Sequence, residues 1–137
     1  MNHAELLDFL RSHKLAVEAS VTSDGTPQAA VVGYAVSDDL ELVFDTLESS
    51  RKFHNLSTDP RIALVIGWGD TTLQLEGLAD FPLGPERDRL QEMYFATYPD
   101  GRDRLAWPGI TFVRVRPRWV RYSDFAQEPA AIEEMTL

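Results

Sequence analysis

The stretch Phe44-Asp45-Thr46-Leu47-Glu48-Ser49-Ser50-Arg51-Lys52 decides how the chain is read. An extended apolar run ends at the hydroxyl of Thr46, the chain turns, and a helix opens on two adjacent cations. The first backbone N–H groups of a helix have no partner inside it, and the macrodipole leaves that end partly positive. Two serine hydroxyls and the Arg51-Lys52 pair at that end describe a small anion pocket suited to a phosphate monoester. The background sharpens the signal, because the chain carries a net charge of −9.

Working outward, residues 3–12 place Leu6, Leu7, Phe9 and Leu10 at helical spacing. Leu15 to Thr22 reads as extended, Ser23-Asp24-Gly25-Thr26-Pro27 as a turn, and Gln28 to Val36 as a second strand. Ser37-Asp38-Asp39 then returns the chain into Leu40–Asp45, so these three runs predict a meander of antiparallel hairpins. After a helix over residues 49–58, Asp59-Pro60 stops the helix and Arg61 to Trp68 begins a strand. Ile62 to Ile66 is apolar without alternation, which predicts cover on both faces. Thr71 to Phe81 alternates, Pro85 suits the first turn of another helix, and Ile110 to Tyr122 is a last strand interrupted at Pro117. The acidic tail from about residue 126 is expected to pack loosely.

The pattern predicts a mainly β (α+β) single domain over residues 1–137. About six strands with short flanking helices fit an antiparallel split barrel. Cover for the unalternating strand is expected from a second copy, because the predicted helices are short and few. Composition narrows the function. The acidic balance argues against nucleic acid and anionic membrane surfaces as partners. With no Cys, thiolate catalysis and Cys-based zinc are excluded. The N-terminus lacks a signal-peptide pattern and no apolar run approaches the roughly 20 residues that span a bilayer, so a cytoplasmic location is expected. His3, His13 and His54 are scattered, without metal-ligand spacing.

The order of a strand ending at Thr46, a Ser-Ser-Arg-Lys helix start, Asn55-Leu56, Asp59-Pro60-Arg61, an apolar strand and Leu75-Glu76-Gly77-Leu78-Ala79 resembles the pyridoxamine 5′-phosphate oxidase-like split-barrel flavoproteins. The resemblance covers residues 5–122 and implies a homodimer with FMN at the interface. It implies that Arg51 and Lys52 grip the FMN phosphate and that Thr46, with Ser50 beside it, contacts the cofactor. Asp45 stands where the family oxidase has Tyr, and Ala35 where it has a basic residue. Thr72 takes the place of a flavin-contacting Gln, for which Gln74 can substitute, and Trp107-Pro108-Gly109 resembles a Trp-Gly-Gly segment near FMN. These departures imply a branch similar to the general stress proteins, acting on something other than a vitamin B6 phosphate.

The implied function is an FMN-binding flavoprotein, a flavin-dependent oxidoreductase of a small molecule. This agrees with the lack of a side-chain nucleophile, general base or metal motif, because a flavin carries its own redox chemistry. Two alternatives stand beside it. One is a non-catalytic flavin, deazaflavin or haem carrier or sensor; the other is a structural dimer without cofactor. Arg114, Arg116 and Arg118 form a further basic row, read either as a second anion site or as a solvated face balancing carboxylates.

Overall fold

A computed structural model describes all of residues 1–137. The elements are α1 (His3–Arg11), β1 (Leu15–Val21), β2 (Pro27–Gly33), β3 (Ala35–Val36), β4 (Leu42–Leu47), α2 (Arg51–Thr58), β5 (Arg61–Ile66), β6 (Thr71–Asp80), α3 (Gly84–Thr97), a 3₁₀ segment (Pro99–Ala106), β7 (Ile110–Asp124) and β8 (Ala131–Thr136). All pairings are antiparallel, in the order β2-β1-β5-β6-β7-β4-β3, with β8 added on β7. The chain therefore has eight strands where about six were expected. No helix is long and apolar enough to cross a membrane.

Two expectations are corrected. The first three runs do not form a meander. The second breaks at Tyr34, so β2 stays with β1 while β3 crosses to pair with β4 at the far end of the sheet. Burial drives the break: Tyr34 is 2% exposed in the core, and its hydroxyl donates to the Leu10 carbonyl at 2.6 Å. This crossing curls the sheet into a half-barrel. The tail is not loose in its backbone, because β8 pairs with β7 from Trp119↔Thr136 to Asp124↔Ala131, although most of its side chains stay in solvent. The apolar run of β5 divides between two faces of the single chain. Ile62, Leu64 and Ile66 are buried, while Ala63 and Val65 face outward, with Val65 39% exposed.

The barrel interior is one apolar cluster that includes Leu42, Phe44, Leu64, Leu73, Leu75, Val113 and Val115, capped by Leu6 and Leu10 of α1 and Leu56 of α2. A smaller cluster forms outside the barrel, where Leu90, Tyr94 and Phe95 of α3 cover Val43 of β4 and Phe112 of β7. The interruption expected at Pro117 is a register shift: Gly77 pairs with Pro117 and Glu76 with Trp119, leaving Arg118 as the extra residue. A Cβ at residue 77 would lie 2.4 Å from the Arg116 carbonyl oxygen, so the bulge requires glycine there.

Candidate functional site

The site is built where β4 hands the chain to α2. Ser50 caps the helix in extended conformation, and its Oγ accepts from the Phe53 amide at 3.2 Å. Thr46, on the inward face of β4, donates its hydroxyl to the same Oγ at 2.8 Å. Thr46 and Ser50 are thus brought together, but they are used to brace the cap. Neither residue lines the cavity described next. The first turn of α2 carries no acid, only Arg51 and Lys52. Positive charge at a helix N-terminus opposes the macrodipole, at a cost of about 0.3–1 kcal/mol per charge. A local conflict of this kind marks a position shaped by something other than helix stability.

Arg51 and Lys52 converge on one cavity of about 270 Å³, with Glu18, Ser20, Gln28, Ala29, Ala30 and Asn55 as its other walls. The cavity lies between α2 and the β1–β2 ladder, in which Glu18 is opposite Ala30 and Ser20 opposite Gln28. Short side chains at residues 29 and 30 leave the space. Asn55, 7% exposed, donates its Nδ2 to Ser20 Oγ at 3.1 Å and to Gln28 Oε1 at 2.9 Å, which ties helix and strands together. Most cations of this chain sit in ion pairs, yet neither Arg51 nor Lys52 has a carboxylate within 4.0 Å. In a protein with 22 acids against 13 bases, two adjacent cations left without a partner at a cavity wall are a ready counter-charge for an anion.

Glu18 was missed in the sequence. It is 2% exposed, and its Oε2 has no hydrogen-bond partner. Burial pushes its carboxyl above the ordinary range, against the pull of the Lys52 ammonium and the Ser20 hydroxyl. An acid among the inward positions of a strand whose neighbours there are Ala16 and Ser20 was the available signal. Asn55, Gln28 and Ala30 carried none, because their convergence exists only once α2 packs on β1.

The remaining expected residues lie elsewhere. Asp45 faces the other side of β4, where Arg104 Nε donates to it at 2.7 Å and the Tyr94 hydroxyl at 3.3 Å, so its charge is compensated away from the cavity. Thr72 and Gln74 stand on the outward face of β6. Trp107 is 52% exposed in the turn before β7, and two residues on the Gly109 carbonyl accepts from the Glu48 amide at 2.8 Å. Within one chain none of these four reaches the cavity wall. The arginine row divides. Arg114 is buried and donates to Asp80, Glu41 and Glu86 at 2.6–3.2 Å, whereas Arg116 and Arg118 have no carboxylate partner. A larger hollow of about 510 Å³ lies at Ala19, Val21, Pro27, Ala63 and Arg118. Its Arg61 is already engaged by Asp59 at 2.7 Å, which leaves Arg118 alone there beside Glu76, against two unpaired cations in the smaller cavity.

A sequence model of the pyridoxamine 5′-phosphate oxidase family matches residues 3–124, and the chain belongs to that family. A pyridoxine/pyridoxamine 5′-phosphate oxidase from Rubrobacter xylanophilus is 36% identical over 93 residues, which cover 66% of this chain and 41% of that enzyme. The match thus spans less than half the length of that enzyme. A haem-binding protein from Mycobacterium smegmatis superposes with a TM-score of 0.85 at 19% identity, covering 99% of this chain and 58% of that one. A pyridoxamine 5′-phosphate oxidase-related, FMN-binding protein from Nostoc punctiforme gives a TM-score of 0.71 at 14% identity, covering 98% of this chain and 94% of that one. At these identities the likeness is one of fold.

Proposed function

We propose that this chain binds FMN and is a flavin-dependent oxidoreductase of a small molecule. The observation that carries the reading is the pair Arg51 and Lys52, neither in an ion pair and both lining one cavity at the start of α2. A phosphate monoester fits that end of the site: the two cations and the free amides of the first turn donate to it. Glu18 shares the cavity with Lys52, whose ammonium offsets its charge. When bound, the flavin supplies hydride or electron transfer from its own ring system, and the protein holds the tail, covers one ring face and leaves the other open.

The site is completed by a second copy. The outward faces of β2, β1 and β5 align Val31, Val17 and Val65 in one row and Ala29, Ala19 and Ala63 in the next, with Val31 61% exposed. An apolar sheet face of this kind is what an obligate interface buries. Thr72 and Gln74 lie beside that face on β6, where pairing of two copies brings them towards the partner's cofactor.

The absorbance spectrum of the protein after incubation with FMN and gel filtration tests this. Flavin bands near one equivalent per chain are expected, bleached by NAD(P)H and restored in air. Failure to retain flavin refutes the reading, and a Soret band in its place assigns the site to haem.

A further inference from the structure

We propose that Glu18 and Lys52 together hold an alcohol group of the bound molecule, so that the cavity selects a phosphorylated polyol over a bare phosphate ester. This rests on the phosphate reading above and assigns a specificity role to a residue outside the anion-binding pair.

Three observations carry it. Glu18 and Lys52 line the same cavity, yet no ion pair forms between them. A buried carboxyl oxygen without a partner is costly, about 1–3 kcal/mol, and invites a ligand donor. The neighbours leave that oxygen unmet: the Ser20 hydroxyl pulls on the carboxyl without satisfying Oε2, Asn55 Nδ2 is committed to Ser20 and Gln28, and Ala30 and Leu64, opposite Glu18 on β2 and β5, have no polar side-chain atom. The charged groups facing Glu18 are therefore Arg51 and Lys52 of α2, while β1 and β2 add only Ser20 and Gln28 as polar, non-titrating walls. The gap has a donor on one side and an acceptor on the other. An anionic oxygen satisfies Lys52 but not Glu18. A hydroxyl satisfies both, accepting from the ammonium and donating to the carboxyl. With Arg51 and the helix amides left for the phosphate, the matching molecule carries hydroxyls close to a phosphate monoester. A ribityl phosphate is of that class, and a haem propionate is not.

Calorimetric titration of the full chain with D-ribitol 5-phosphate and with methyl phosphate at neutral pH separates the outcomes. Wild type is expected to bind ribitol phosphate tighter by about tenfold, the gain of one hydrogen bond to a charged group. Glu18→Val is expected to bring the ratio close to one while binding methyl phosphate at least as well. Glu18→Gln, whose amide oxygen still accepts, keeps part of the preference. Valine suits a strand and removes an unpaired acid, so its melting temperature should not fall. Equal affinities in wild type, or a preference that survives in Glu18→Val, overturn the assignment of Glu18. If neither phosphate binds wild type, the phosphate reading itself falls.

Discussion

Removing both cations in Arg51→Ala/Lys52→Ala is the most direct perturbation of the proposed site. Each side chain would give the phosphate a charge-assisted hydrogen bond worth about 1.5–3 kcal/mol. Arg51 is exposed and Lys52 half-buried, so water and salt screen both and the lower end applies. The pair then contributes about 3 kcal/mol, or roughly a hundredfold in Kd. The fold should not suffer, because neither side chain makes a hydrogen bond or ion pair in the structure and both oppose the α2 dipole. Titration by quenching of flavin fluorescence, run in parallel with FMN and riboflavin, is the assay. We expect the variant to weaken FMN roughly a hundredfold, to leave riboflavin unchanged, and to melt no lower than wild type. FMN affinity within threefold of wild type, or an equal loss for riboflavin, would refute the idea that these cations hold a phosphate.

Two further outcomes are expected. Arg114→Ala strips the partner from Asp80 and Glu41 beneath α3 and should cost about 3 kcal/mol, the low end for a broken buried pair because Arg89 still holds Glu41. Burial works to raise the Glu41 carboxyl, but Arg89, Ser37 and Arg114 outweigh it and hold it low. That stability is present above the unfolded carboxylate range and is lost as pH falls, so urea curves of wild type and variant should converge in acid; a gap unchanged by pH would contradict this. Val31→Glu places a charge at the centre of the outward apolar row and should turn a dimer into a monomer of 15.5 kDa by light scattering, whereas a wild type that is already monomeric removes the composite site.

How much was legible beforehand varies with the range of the forces involved. The start of α2 was readable because its determinants are contiguous: a cap at Ser50, no acid in the first turn, and cations at residues 51 and 52. The alternation of β6 and the disturbance at Pro117 were readable for the same reason, since side-chain period and a missing N–H act within a strand. In β5 the two faces could not be told apart, because Ala63 and Val65 are apolar like their buried neighbours. The tail misled, because an acidic, proline-containing segment gains its strand character only from the free edge of β7.

What the linear order determined by itself is a helix start with two adjacent cations in an acidic, mainly β chain. Tertiary structure decided the rest. The break at Tyr34 closes the half-barrel, and the packing of α2 on β1 brings residues 18, 20, 28 and 55 to Arg51 and Lys52. Asp45 is turned to Arg104 and away from the cavity by its place on β4. The physical reason is that helix caps and charge runs act over a few residues, whereas a cavity wall is a meeting of segments far apart in the chain. The burial that leaves Glu18 unpartnered exists only after they have met.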